Sequence, residues 1–165
     1  IGIDQIMNVD VDQFYGIEYD EFPARIAEVA LWLMDHQMNL RISEAFGLYY
    51  ARLPLIKSAT IIHGNALRID WTDIIAKTDL SYILGNPPFY SQSLQTDEKK
   101  EDMKLVFKNV DGAGILDYVS GWYLKAAKFI QNSNIEVAFV STNSITQGEQ
   151  VAILWNLLLN EFNVI

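Results

Sequence analysis

Tyr82-Ile83-Leu84-Gly85-Asn86-Pro87-Pro88-Phe89 is the stretch on which the reading of this chain turns. Its first half is a short apolar run closed by glycine, which predicts a buried strand. The two prolines cannot extend a ladder, because neither carries a backbone N–H. They stop the strand at its C-terminal end, freeze the backbone and hold Asn86 and Phe89 in place. Read alone, the octapeptide is a rigid turn after a core strand. Its neighbours decide whether it is more.

Outward from it, apolar runs alternate with helical periodicity. Phe14-Tyr15-Gly16-Ile17-Glu18-Tyr19 predicts a strand ending at an acid. Asp20 is a candidate N-cap with Pro23 in the first turn. Ala24, Ala27, Leu31 and Met34, widened by Ile26, Val29, Ala30 and Leu33, predict an amphipathic helix to about His36. Residues 37–58 read as mixed, with one helical turn near Glu44-Ala45-Phe46 and a loop through Pro54. Thr60-Ile61-Ile62-His63-Gly64-Asn65 predicts the next strand, and Trp71 to Lys77 a short helix or turn. Residues 90–113 are polar and charged and predict a mobile loop with room for a helical turn. Ile115 to Gln131 predicts a helix, Glu136-Val137-Ala138-Phe139-Val140-Ser141 a fourth strand, and Gln150 to Asn160 a last helix.

This alternation predicts an α/β domain whose sheet is mostly parallel, with helices on both faces. Ligands in such sheets bind beyond the C-terminal ends of the strands. Glu18, Asn65 and Asn86 all stand at such ends.

Composition narrows the class. The chain has 165 residues, half of them hydrophobic, and a net charge of −9. That suits one globular domain and excludes disorder. Without cysteine there are no disulfides or thiolate metal sites, and a cytoplasmic location fits. His36 and His63 are too scattered for a zinc site, so no metal is expected. No apolar stretch has the length of a membrane span, and no signal peptide opens the chain. The acidic balance is unfavourable for phosphate contacts, which normally need Lys and Arg. The chain begins at Ile1 and stops at Ile165, after the strand-like opening Phe162-Asn163-Val164-Ile165, which predicts a piece of a longer polypeptide.

Each strand-end residue has two readings. Glu18 suits a bidentate grip on a ribose diol, or is a solvated carboxylate near a helix start. Tyr19 beside it suits packing on an adenine ring. The amide of Asn65 offers a donor and an acceptor to an adenine edge, or is a turn residue after Gly64. Ala66 is small enough to let a ring approach the backbone.

Taken together, Gly16-Ile17-Glu18, Gly64-Asn65-Ala66, Asn86-Pro87-Pro88-Phe89 and the run from Ala138 to Ile145 followed by Gln147-Gly148 resemble an adenine-specific DNA methyltransferase. The resemblance is to the catalytic domain of the large single-chain restriction–modification enzymes and covers nearly the whole chain. It implies a Rossmann-like class I methyltransferase fold and S-adenosylmethionine as the cofactor. Glu18, Tyr19, Asn65, Ala66 and Asn86 would hold that cofactor. Asn86, Pro87 and Phe89 would be catalytic, and Pro88, Phe89 and Tyr90 would meet the target base. The reaction implied is methyl transfer to N6 of an adenine flipped out of double-stranded DNA.

The residue types fit that chemistry. An exocyclic amine is a poor nucleophile until acceptors localise its lone pair. The side-chain oxygen of Asn86 and the carbonyl of Pro87 are such acceptors, and Phe89 offers a face for stacking. The run from Ala138 resembles the strand and turn that support the target-base pocket. The motif order resembles the arrangement in which a target-recognition domain follows the catalytic one. The family's glycine-rich cofactor loop, with its central strand, belongs upstream of Glu18, and neither Gly2 nor Gly16 supplies it. Residues 1–165 are therefore expected to be one partial catalytic domain, inactive alone and prone to self-association through exposed strand edges.

Alternatives keep the tetrapeptide and change the acceptor to a protein glutamine or cytosine N4, or keep the fold as a non-catalytic binding module. A nucleotide-dependent oxidoreductase is disfavoured, because Asn-Pro-Pro-Phe has no part in hydride transfer. His63 is expected as a half-buried strand residue, and His36 near a helix C-terminus. Trp71, Trp122 and Trp155 are expected in packing. The charge run 97–104 reads as a solvated loop tip, or as a flap whose Lys99, Lys100 and Lys104 meet phosphates. Gly112 and Gly114 end that loop and form no nucleotide fingerprint.

Overall fold

The computed structural model describes residues 9–47 and 57–162. The chain divides into two units, residues 1–66 and 67–165, each built on its own pair of parallel strands.

In the first unit Asp10 opens a 3-10 turn, Val11–Gln13, through a reciprocal cap. Its carboxylate accepts the Val11 N–H at 2.8 Å, and the Gln13 side chain accepts the Asp10 N–H at 2.7 Å. β1 (Tyr15–Glu18) then pairs with β2 (Thr60–His63), Tyr15 opposite Thr60 and Glu18 opposite His63. α1 (Glu21–Phe46) joins them and makes the unit a βαβ crossover. Asp20 has the extended backbone of an N-cap, but its side chain makes no capping bond. Lys57 ties the approach to β2 back to the opening turn, at 2.9 Å from Asp10 and 2.8 Å from Asp12.

α1 runs well past the expected end near His36. The apolar period fades there, but no Gly or Pro interrupts the helix until Gly47, which takes a left-handed φ of 66° and returns its N–H to the Ser43 carbonyl. His36 therefore lies inside the helix, away from the negative end of its dipole. The helical turn expected near Phe46 is the end of this same helix. Ala24 is buried as expected, whereas Phe22 (75% exposed), Ile26, Val29 and Leu33 form an exposed apolar stripe.

In the second unit β3 (Tyr82–Gly85) pairs with β4 (Glu136–Phe139), Tyr82 opposite Glu136 and Gly85 opposite Phe139. Two 3-10 turns, Trp71–Asp73 and Lys77–Asp79, precede β3. The expected mobile loop over 90–113 contains instead a full helix, α2 (Asp97–Val106). The Thr96 side chain caps it by accepting the Lys99 N–H, and Asp97 and Glu98 suit the positive end of its dipole. The charge run is thus no solvated loop tip: Asp102, Met103 and Val106 face inward.

α3 (Ser120–Phe129) begins later than the sequence suggests, after a 3-10 turn at Ala113–Ile115 entered through left-handed Gly112. α4 (Gln150–Asn156) widens into a π-helical turn, Leu157–Glu161. Met103 of α2, Leu124 and Ala127 of α3, Leu154 of α4 and Leu158 meet Leu67 in one core. Trp71 packs edge-on to Phe129 at 5.5 Å, a packing role as expected.

Among the described residues the strands form two two-stranded parallel sheets, where a mostly parallel sheet left incomplete by the missing central strand is expected. Among the described residues no further strand joins them. Helix cover also differs. Tyr123 of α3 packs on Phe139 at 5.4 Å on one face of β3–β4. On the other face Tyr82 and Leu84 are exposed, Leu84 at 77%. The strands are apolar on both faces, yet among the described residues helices cover this pair on one. Residues 1–8, 48–56 and 163–165 lie outside the described residues, and with them Gly2, the loop through Pro54 and the end of the strand-like 162–165. No described helix is long and apolar enough to cross a membrane.

Candidate active site

The parallel registers bring the singled-out residues to strand C-termini in each unit. In the first, the Gly64 N–H donates to the Glu18 carbonyl at 2.8 Å, which sets Glu18 and Gly64-Asn65 side by side. One carboxylate oxygen of Glu18 accepts the Tyr19 N–H at 2.9 Å, so the side chain is held at the strand end. Glu18, Asn65 and Ala66 are half-buried and Tyr19 is exposed.

In the second unit the Val140 N–H donates to the Gly85 carbonyl at 2.9 Å, carrying the ladder one residue past β4. Asn86 leaves the sheet beside that bond. Pro87 is buried, whereas Asn86, Pro88, Phe89 and Tyr90 are exposed. The turn is thus anchored by one proline and presents the residues on either side. Among the described residues the Asn86 amide makes no hydrogen bond. Gly85 is needed for close approach: a Cβ there would stand 3.0 Å from the Phe139 ring.

The loop beyond Phe89 is fastened to the segment before α3. The Tyr90 carbonyl accepts the Tyr118 N–H at 2.9 Å, and the two rings meet edge to face at 6.1 Å. The Gln92 N–H donates to Asp117 at 3.2 Å, and the Gln95 side chain donates to the Leu116 carbonyl at 2.9 Å. Lys99 stands 4.5 Å over the Tyr90 ring, a cation–π contact that places one positive charge next to the exposed turn. After β4 a 3-10 turn, Asn143–Thr146, buries Ile145, whose carbonyl takes the Trp155 indole N–H at 2.7 Å.

Behind the loop lies a charged cluster that no local pattern revealed. Asp102, 1% exposed, accepts from Arg68 Nε at 2.5 Å and from the Tyr118 hydroxyl at 2.6 Å. The hydrogen bond to Asp102 raises the Arg68 pKa above its ordinary value. Lys125 donates to the carbonyls of Leu67 at 2.9 Å and Ile69 at 2.5 Å, and burial pushes its pKa down to about 8. Among the described residues no cluster of His, Asp and Glu could hold a metal ion.

The family model "MmeI, DNA-methyltransferase domain" matches residues 2–165. The chain belongs to the MmeI DNA-methyltransferase domain family. It is 41% identical to DNA methyltransferase A of Bacillus subtilis (strain 168) over 156 residues, 93% of this chain and 18% of that protein. Its structure matches that of a type IIL restriction–modification enzyme, MmeI, in complex with DNA, with a TM-score of 0.90 and 56% identity. That match covers 96% of this chain and 21% of the solved one. The chain thus spans about a fifth of the length of the relatives it matches. Membership in the MmeI methyltransferase family agrees with the resemblance read from Glu18, Asn65 and the tetrapeptide.

Proposed function

We propose that this chain is the central part of a Rossmann-like catalytic domain that methylates N6 of an adenine flipped out of double-stranded DNA, within a restriction–modification enzyme. The presented Asn86 amide beside buried Pro87, at the C-terminal end of β3, is the observation that carries this reading. Two parallel strand pairs with functional residues at their C-terminal ends support the Rossmann-like fold.

The residues of this chain fit the adenosine half of S-adenosylmethionine. Glu18 has a second carboxylate oxygen besides the one on the Tyr19 N–H, which suits a ribose diol. Gly64-Asn65-Ala66, fixed beside it, suits an adenine edge. The bound cofactor supplies an electrophilic methyl group on sulfur. Asn86 Oδ1 and the Pro87 carbonyl accept the two N6 hydrogens and turn the nitrogen lone pair toward that methyl carbon. Phe89, 46% exposed, stacks the extruded base, with Pro88 and Tyr90 beside it. The amine so oriented would take the methyl group while sulfur would keep the electrons of its bond, and the amine proton would leave afterwards to water.

The donors for the methionine half come from a glycine-rich loop upstream of Glu18, and sequence specificity from a target-recognition domain downstream. The lengths of the relatives support this larger polypeptide. The net charge of −9 agrees with phosphate contacts made mostly by other parts of it. Residues 1–165 alone are inactive, and their exposed apolar surfaces favour self-association.

The test is mass spectrometry of nucleosides from a host expressing the complete polypeptide, beside its Asn86→Ala variant. N6-methyladenine should appear with the first and vanish with the second. N4-methylcytosine, or methylglutamine in protein, would redirect the reading to those acceptors. No methylated product together with no S-adenosylmethionine binding would replace it with a non-catalytic module.

A further inference from the structure

Two side chains outside the tetrapeptide bind together the loops that follow β3 and β4. Gln150, the first residue of α4, accepts the Asp117 N–H on Oε1 at 3.1 Å. Its Nε2 donates to Asp117 Oδ2 at 3.1 Å and to the Ser144 carbonyl at 2.9 Å. The other carboxylate oxygen of Asp117 takes the Gln92 N–H at 3.2 Å. The amide orientation is dictated by its partners: reversed, Oε1 would face a carboxylate and a carbonyl, and Nε2 an N–H. Every polar side-chain atom of the pair is thereby engaged, and each of the two strand-end loops is reached by one of them. Gln92 lies just beyond Phe89 and Tyr90, and Ser144 lies in the turn after β4.

We propose that Asp117 and Gln150 are positioning residues that lock these two loops into one rigid target-base pocket. The inference rests on the reading of Asn86 and Phe89 as the base-binding turn. The pair touches no reacting atom. It fixes the distance between the turn that carries the acceptors and the loop that forms the opposite wall. Small misplacements there are expensive, because amine, acceptors and methyl carbon must be aligned. The hydrophobic core does not need the pair: Leu116, Val119, Leu124, Ile145 and Leu154 pack without the Gln150 amide.

The experiment uses the complete enzyme with Gln150→Glu and Gln150→Met. Glu keeps the acceptor for the Asp117 N–H but sets a carboxylate against Asp117 Oδ2 and the Ser144 carbonyl. Met keeps the length and loses every bond. Three quantities are read: S-adenosylmethionine affinity, the single-turnover methylation rate, and the fluorescence of 2-aminopurine placed at the target adenine. Both variants should keep cofactor affinity within about twofold while methylation falls about ten- to a hundredfold. The fluorescence rise that reports the extruded base should shrink, more with Glu than with Met.

Parent-like methylation in both variants overturns the inference. So does a loss of rate that only tracks lost cofactor binding, with the fluorescence signal intact, because a merely structural role predicts that pattern. Asn86→Ala is run in parallel. If it is inactive while both Gln150 variants are normal, only the positioning role fails. If it still methylates, the catalytic reading falls and the inference with it.

Discussion

The Tyr118 hydroxyl donates to the buried carboxylate of Asp102 at 2.6 Å, while the Tyr118 backbone N–H holds the Tyr90 carbonyl at 2.9 Å. One residue therefore joins α2 to the loop that leaves the Asn-Pro-Pro-Phe turn. Asp102 is the more demanding member, because a buried carboxylate needs its partners. Asp102→Ala leaves the Tyr118 hydroxyl without this acceptor and should destabilise the α2 region by about 2–4 kcal/mol. Tyr118→Phe keeps the ring and the backbone bond but removes one donor to the carboxylate, and should cost about 1–2 kcal/mol. Hydrogen exchange of the complete enzyme over residues 97–107 checks both, with faster exchange expected in the order Asp102→Ala, Tyr118→Phe, parent.

Gly85 and Phe139 make a second prediction. A methyl group on Gly85 would meet the Phe139 ring at 3.0 Å, and that ring already packs on Tyr123 at 5.4 Å. The ring rests on Tyr123 of α3, so the few tenths of an ångström needed are expected to come from the strand, and Asn86 moves with it. Gly85→Ala should cost about 1–3 kcal/mol through overpacking. Methylation should fall about tenfold or more while cofactor affinity holds, because the displaced residue is the acceptor. Single-turnover methylation and cofactor titration together check this. Unchanged rates would show that the turn is insensitive to the strand beneath it.

Lys125 gives stability a pH dependence of known sign. Burial lowers its pKa from 10.5 to about 8, with Asp70 acting in the opposite direction. Below about 8 both folded and unfolded chains carry the charge, and the burial penalty is fully present. Between about 8 and 10.5 the unfolded chain holds the proton while the folded one has released it, so rising pH favours folding. Stability of the parent relative to Lys125→Met should therefore be flat below this window and rise through it. Urea denaturation followed at several pH values tests the slope, and a relative stability falling through the window would contradict the assignment.

The parts legible in the sequence were those written in local chemistry. β3 has the bounds its apolar run predicts, because Gly85 and the prolines stop it abruptly. The strand-end positions of Glu18 and Asn86 followed from the same kind of signal. α1 was read short because Met38, Leu40 and Ile42 alternate with polar residues and break the helical period, yet Gly47 was the visible stop. α2 was read as a loop because its charges obscured Thr96 as a cap and the inward spacing of Met103 and Val106. The division into two strand pairs depends on which backbone edges meet, which side-chain pattern does not encode. The Asp102 cluster and the Asp117–Gln150 pair join residues far apart in the chain, so no window of sequence contains them.

Glu18 offers the cleanest contrast with Asn86. It stands opposite His63 at the end of β1, with one oxygen on the Tyr19 N–H. If its other oxygen grips the cofactor's ribose, Glu18→Ala removes a charge-assisted interaction made equally before and during methyl transfer. Uniform binding of that kind changes affinity and leaves turnover at saturation nearly intact. Glu18→Ala in the complete enzyme should thus raise the cofactor KM about ten- to a hundredfold, with kcat changed by less than about threefold. Glu18→Gln keeps an acceptor and should fall between the two. Asn86→Ala should show the reverse, a collapse of kcat far larger than its effect on the cofactor KM. Steady-state kinetics over a wide cofactor range separates these patterns. If both variants lose kcat alone, Glu18 does not hold the ribose, and its place at the strand end reflects only the cap it makes with Tyr19.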